Sequence, residues 1–233
     1  MRLYIIRHAD PDYDNQTITA RGHLEAQALA RRLAAERITH IYCSPVPRAL
    51  HTMEYTRLLV GLEPITEPWL RELDWVLPFG EEHELAAWNL PGELIRERAA
   101  MPSHLTWHRI PQLKDTTIHQ QYEELVANSD QFFTRHGCER EGGRYRIPNP
   151  NQDRIAVFCH GGLGLTWLAH LLELPPPLVW CGFWLPPSSV TTVLFEHRTE
   201  LYAVPRCMAV GDTSHLYDAR LPVCTHGLLG NLD

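Results

Sequence analysis

Residues 2–7, RLYIIR, make a short apolar run rich in branched side chains, which predicts a buried strand. The period then changes. Leu24, Ala28, Leu29 and Leu33 fall on one face of a helix, and Thr19 is placed to cap its start. ITHIYCS (38–44) predicts a second strand, and PVPRALHTMEYTRLLVG (45–61) a second helix ended by Gly61. Strand, helix, strand, helix at this spacing implies parallel strands joined by right-handed crossovers.

Between about 78 and 150 the regularity is lost. This stretch is dense in Trp, His, Pro and Arg and carries two helix-like pieces, near 81–99 and 118–137. It reads as a cap or insertion over the sheet rather than an independent domain. RIAVFCHGGLGLTWLAHLLEL (154–174) resumes the strand-then-helix order, and Pro175 to Pro177 end that helix. SSVTTVLFE (188–196) and ELYAVPRCMAV (200–210) predict an antiparallel hairpin at or near the sheet edge. The polar C-terminal stretch from GDTSHL onward reads as loop. The expected fold is one α/β domain over residues 1–233: a three-layer α/β/α sandwich with a mostly parallel sheet, an antiparallel edge strand and a cap insertion.

Composition narrows the function classes. The 233 residues are 44% hydrophobic and 21% charged, as in an ordinary globular protein, and the formal net charge of -7 argues against nucleic acid or an anionic membrane as partner. Lys114 is the sole lysine, so any anion site must use arginine, histidine and backbone N–H groups. Six cysteines (Cys43, Cys138, Cys159, Cys181, Cys207 and Cys224) form no CxxC pair, and Cys43 and Cys159 end apolar runs as buried free thiols do. With no leader-like segment and no apolar run near the roughly 18 residues of a membrane span, a reduced cytoplasmic setting is expected. Fourteen histidines invite a metal, yet HExxH and CxxC…HxxxH spacings are absent, so no metal is expected.

The organisation gives two of these histidines a common address. The first strand ends in Arg7-His8 and the strand IAVFC ends in His160. Parallel strands bring their carboxyl ends to one edge, where open α/β sheets bind ligands. Gly161 and Gly162 follow His160 and open a helix whose free N–H groups suit an anion, and Arg48 starts the helix after the second strand. Arginine forks and a helix start on one rim make a phosphate pocket. A histidine beside guanidinium groups stays neutral more readily, and neutral imidazole is a nucleophile. Glu72, in LRELD, is the candidate acid for the leaving alcohol.

These segments resemble the histidine phosphatase superfamily, the phosphoglycerate mutase-like fold. LYIIRHAD with ITARG and QALARRL is similar to the start of that family, CSPVPRALHT to its SxxxRAxxT segment, LRELD to its LxE segment and VFCHGGLG to its second histidine motif. GDTSHL is similar to a tail motif of bacterial members, with Gly211 where Asn is usual. The resemblance implies that His8 is the phosphorylated nucleophile, that Arg7, Arg48 and His160 complete the phosphate pocket, and that Glu72 donates the proton. No metal or organic cofactor is implied.

The chain also departs from the pattern. The mutase signature RHGESxWN has no counterpart: Ala9 replaces its glycine, Pro11 its serine and Asp14 its asparagine, with Asn15 adjacent as a substitute phosphate ligand. WVLPFGEE follows LRELD where a glycine-rich turn is usual, which leaves Glu81 and Glu82 as reserve candidates for the acid. The expected activity is hydrolysis of a small phosphorylated metabolite through phosphohistidine. A phosphoglycerate mutase and a catalytically silent phospho-ligand binder are the alternatives. An α/β-hydrolase is excluded by the lack of GxSxG. Nothing in the sequence sets the oligomeric state, and a homodimer is allowed. Trp88, Trp107, His104 and His108 are read as cap packing ahead of ligand contact, His215 as pinning the tail, and His136 and His197 as surface.

Overall fold

The computed structural model describes residues 1–80, 83–97, 101–225 and 228. In chain order, β1 (Arg2–Arg7) leads through a small hairpin, β2 (Pro11–Asp12) and β3 (Thr17–Ile18), into α1 (Ala20–Ala35). β4 (His40–Cys43), α2 (Pro47–Val60) and β5 (Ile65–Thr66) follow. Thr19 caps α1 by accepting from the Gly22 N–H, and Gly61 closes α2 in the left-handed region at φ 70°, both as the sequence predicts. Next come a hairpin, β6 (Val76–Phe79) and β7 (His83–Ala86), and the short α3 (Gly92–Arg96). α4 (Ile118–Arg135), β8 (Glu139–Glu141), β9 (Arg144–Arg146) and β10 (Arg154–Cys159) precede α5 (Gly161–Leu171) and α6 (Pro176–Gly182). β11 (Val190–His197), β12 (Tyr202–Asp212) and α7 (Ser214–Asp218) complete the described elements.

The central sheet runs β5-β4-β10-β1-β11-β12-β9-β8. Pairing is parallel from β5 to β1, and β11, β12, β9 and β8 extend it antiparallel. Alternate residues of β1 serve opposite layers, as the period of two requires. Tyr4 and Ile6 join the cluster of Leu29, Leu33, Ala49 and Met53 from α1 and α2. Leu3 and Ile5 pack instead among Phe132, Phe133, Trp167 and Leu168 from α4 and α5. Helices on both faces of the sheet give the three-layer sandwich expected.

Trp167 is a large buried side chain that joins α5 to α4. It is fully buried, its ring meets Trp69 edge-on at 5.1 Å, and its Nε1–H donates to Ser129 Oγ of α4 at 2.8 Å. Trp167→Ala would lose that apolar burial and leave a cavity, with an expected cost of about 3–5 kcal/mol. Urea unfolding checks this, as a large fall in midpoint with little change in slope.

Several sequence expectations change, among them the stretch from GDTSHL onward, which is not all loop: it ends β12 and forms α7. The piece near 81–99 is not one helix: the turn of the β6–β7 hairpin passes through Gly80 at φ 73°, and among the described residues only a 3-10 turn at Ala87–Asn89 and the short α-helix Gly92–Arg96 are helical. The cap is narrower than 78–150. α4 carries core residues beneath the sheet and β9 pairs with β12, so residues 118–146 belong to the main layers. Pro175 to Pro177 do more than end a helix, because Pro176 opens α6 with its φ already set.

His136 is the plainest correction. It is 7% exposed rather than solvated, and its ring bonds Tyr42 Oη at 3.0 Å and Asp153 Oδ2 at 2.9 Å. The end of α4 lands on the start of β4, a tertiary contact that no local pattern encodes. Neighbouring Arg135 is half-exposed and donates to Glu67 at 2.6 Å, while His197 is on the surface as expected.

Candidate active site

Register builds the centre of the site. β1 and β10 pair in parallel with Arg7 level with Cys159, so His8 and His160 leave the sheet side by side. The His8 N–H donates to the Cys159 carbonyl at 2.9 Å, and the two imidazole centroids stand 5.3 Å apart. From the other side, Ser188 donates its N–H to the His8 carbonyl at 3.0 Å, and His215 bonds Ser188 Oγ at 3.3 Å. His215 thus pins the C-terminal segment against the loop that carries the site, as the sequence suggests.

The His8 ring is oriented by its own neighbour. Its Nδ1 lies 2.8 Å from the Ala9 carbonyl, which can only accept, so Nδ1 holds the proton and Nε2 keeps a free lone pair. Burial, Arg7 and Arg48 together push the His8 pKa down to about 3, against the weaker pull of the Ala9 carbonyl. The ring is therefore neutral at ordinary pH.

His160 sits behind it, fully buried, with its pKa well below the usual imidazole range through burial and the nearby His8, Arg48 and Arg7. Its Nε2 lies 2.8 Å from Ser44 Oγ, which accepts from the Val46 N–H and so turns its own proton to the ring. That assigns His160 the tautomer with a proton on Nδ1.

Two arginines flank the histidines. Arg7 donates from Nη1 to the Leu185 carbonyl at 2.6 Å and lies over the Trp184 ring at 5.4 Å. Arg48, in the first turn of α2, lies over Tyr13 at 5.5 Å. Thr52 ties this turn to β1, donating to the Arg48 carbonyl at 2.7 Å and accepting from the Ala9 N–H at 2.9 Å. Arg7 Nε, Arg48 Nε and His160 Nδ1 are buried donors with no hydrogen-bond partner. Native folds seldom leave such groups unmatched, and an anion against His8 would satisfy them.

Glu72 occupies the start of α5. Its carboxylate accepts from Leu163 N–H at 2.8 Å, Gly162 N–H at 3.2 Å and its neighbour Leu73 N–H at 3.1 Å. The helix start expected to hold phosphate therefore holds a carboxylate, with Gly161 packed beneath Arg7. Burial raises the Glu72 pKa despite those three donors and Arg7, so this carboxyl retains a proton more readily than an ordinary one. Glu81 and Glu82, the reserve acids, lie outside the described residues.

Around these groups lies a cavity of about 350 Å³ whose walls include His8, Arg7, Arg48 and Glu72. Gly161, expected at the site, also lines it, and the rest includes Trp88 and side chains the sequence did not single out for the site, Tyr13, Trp180 and Trp184 among them. Trp88 lies against the Gly162 backbone so closely that a Cβ there would fall 2.5 Å from the ring, so only glycine fits. Trp107 is fully buried in the cap core as packing, and His104 and His108 are not part of the cavity wall.

Asn15 does not reach the site. Its backbone and side-chain amides both bond Asp12, at 3.1 and 2.8 Å, in an exposed turn, because a carboxylate three residues back is the nearer partner. Asn15→Ala is accordingly expected to leave kcat/KM within about twofold, as for other exposed positions. A steady-state comparison on p-nitrophenyl phosphate would show it.

Among the described residues, one group could hold a metal. His40, His136 and Asp153 each place a ligand atom within 4.8 Å of the others, at the amino end of the parallel strands and away from His8. Both ring nitrogens of His136 already have protein partners there, and the cluster is a hydrogen-bond network joining α4 to the sheet.

Residues 3–204 match the histidine phosphatase superfamily (branch 1). The chain belongs to that superfamily. It is similar to a probable phosphoglycerate mutase GpmB of Proteus mirabilis, with 30% identity over 106 residues, 42% of this chain and 48% of the relative. A putative phosphoserine phosphatase 2 of Hydrogenobacter thermophilus is 30% identical over 98 residues, 38% of this chain and 46% of that one. The match thus spans about half the length of these curated relatives. The crystal structure of phosphoserine phosphatase with 3-phosphoglyceric acid from Entamoeba histolytica covers 92% of this chain and 98% of its own at a TM-score of 0.61. At 19% identity that likeness shows the histidine phosphatase fold. Among the described residues no helix is long and apolar enough to cross a membrane.

Proposed function

We propose that this member of the superfamily is a phosphomonoesterase that works through a phosphohistidine on a small phosphorylated metabolite. The single observation that carries the reading is a neutral His8 with an unbonded Nε2 on a cavity wall shared with Arg7 and Arg48, whose Nε donors are orphaned, as is Nδ1 of His160 behind it. A phosphoryl group supplies the acceptors those donors lack.

The chemistry takes two displacements. Nε2 of His8 attacks phosphorus in line, the N–P bond forms, and the bond to the alcohol oxygen breaks. The Glu72 carboxyl gives its proton to that oxygen, and the alcohol departs. Glu72, now a carboxylate, takes a proton from water as the water oxygen attacks phosphorus. The N–P bond breaks, orthophosphate leaves, and Glu72 is protonated again. Arg7, Arg48 and the Nδ1–H of His160 stabilise charge on the non-bridging oxygens throughout.

The phosphoglycerate mutase reading uses the same first displacement but keeps the phosphoryl group for the product. The name of the Proteus mirabilis relative, matched over about half its length, favours it, whereas the cavity wall offers no cation beyond Arg7 and Arg48 among the described residues. Orthophosphate release from phosphomonoesters in EDTA separates the readings. Stoichiometric release supports the phosphatase; phosphoryl transfer without release, or turnover only with added metal, contradicts it.

A further inference from the structure

The aromatic part of the cavity wall has a distinct chemistry. Trp180 is 4% exposed, and its Nε1–H is satisfied inside the fold by Thr166 Oγ1 at 2.9 Å. Trp75 and Trp107 stand edge-on to it at 6.0 and 6.1 Å, which fixes the ring. Trp88 is seated on Gly162, and the buried Leu165 and Leu185 complete this wall. The result is a rigid apolar surface in the same cavity as the phosphate-binding groups.

We propose that the cavity selects phosphomonoesters whose alcohol is neutral and apolar, carrying a ring or short hydrocarbon chain that packs on Trp88 and Trp180. This rests on the phosphatase reading above and adds the class of leaving alcohol. A carboxylate-bearing ester is disfavoured, because Arg7 and Arg48 are committed to the phosphoryl group. A carboxylate would lose its water against indole and leucine without a partner. A cationic alcohol is also disfavoured. The faces of Trp184 and Tyr13 already carry the guanidinium groups of Arg7 and Arg48, which repel a third cation.

A neutral ring instead gains apolar burial and offset stacking. Asn89 and the unpartnered Nε1–H of Trp184 allow a neutral hydrogen-bonding substituent. The cavity, at about 350 Å³, lies at the small end of the about 300–1,000 Å³ typical of ligand pockets, which suits a compact ester.

The comparison must hold leaving-group chemistry constant, since a phenol departs more easily than an alkanol whatever the wall contributes. Benzyl and 2-phenylethyl phosphate are therefore set against O-phosphoserine, 3-phosphoglycerate and phosphocholine, all alkyl esters. Wild-type kcat/KM is expected to be roughly 10- to 100-fold higher for the two aromatic esters. Trp88→Ala should remove most of that advantage, bringing kcat/KM for the aromatic esters down towards that for O-phosphoserine, and Trp88→Phe should retain it.

Binding to His8→Ala protein, followed by quenching of tryptophan fluorescence, measures the preference without turnover. Tighter binding of 2-phenylethyl phosphate than of O-phosphoserine with no wild-type hydrolysis of any ester would sink the phosphatase reading alone. Equal or better turnover and binding of the carboxylate-bearing or cationic esters would overturn the selectivity and leave that reading standing.

Discussion

Replacing His8 by alanine is expected to lower kcat on p-nitrophenyl phosphate by about four orders of magnitude or more. The size follows from what the residue supplies. Its Nε2 is the atom that would bond phosphorus, and removing a covalent nucleophile removes both chemical steps. No other described group offers a replacement, because the Nε2 of His160 is taken by Ser44 and its Nδ1 carries a proton. Folding should survive, since the hydrogen bonds that hold this strand end run through the His8 backbone to Cys159 and Ser188. The check is steady-state kinetics beside a thermal unfolding trace. Activity within tenfold of wild type in a folded H8A protein would falsify the assignment.

The second large effect belongs to Glu72, and it should depend on the leaving group. On an alkyl phosphate, Glu72→Gln is expected to lower kcat/KM by about 10²- to 10⁴-fold, the usual worth of a positioned proton donor. On p-nitrophenyl phosphate, kcat/KM should fall by less than about tenfold, because nitrophenolate departs without a proton. kcat on that ester should still fall, since the same carboxylate activates water in the second displacement, and a burst of nitrophenol should precede slow turnover.

The pH dependence carries the same sign. The protonated carboxyl serves the first displacement, so kcat/KM on an alkyl ester declines as pH rises through the raised pKa of Glu72. E72Q should lose that decline. His8, with its pKa pushed down from 6.5 to about 3, adds no loss of activity near pH 6. Equal losses on alkyl and aryl esters would point to a structural role at the start of α5, where Glu72 caps Gly162 and Leu163.

How far the sequence reached follows from where each interaction lies. His8, His160 and Arg48 were legible because parallel strands and right-handed crossovers bring strand ends together whatever the side chains do. α1 and α2 were legible through their own caps, Thr19 and Gly61. Glu72 could be named as an acid, but not as the residue that fills the start of α5, since that contact joins segments 90 positions apart.

Other features were hidden for related reasons. Asn15 looked useful because it lies next to a position the family uses, and a local bond to Asp12 diverts it. The stretch near 81–99 is rich in helix-forming residues, yet His83–Ala86 within it forms a hairpin strand whose partner is Val76–Phe79. Ser44 was within a quoted motif, but its part in fixing the His160 tautomer appears only when β4 is set beside β10. The aromatic wall is assembled from Trp88, Trp180 and Trp184, whose approach depends on the narrower cap and on α6.

The central claim is a covalent one, and it can be measured directly. Wild-type enzyme mixed briefly with a phosphomonoester and quenched in alkali, where phosphohistidine survives, is analysed by intact mass and peptide mapping. The account predicts one added phosphoryl group on the peptide that contains His8, accumulating further in Glu72→Gln and absent from His8→Ala. Hydrolysis proceeding with no phosphorylated protein in either wild type or E72Q, or with the label on a different residue, would contradict it.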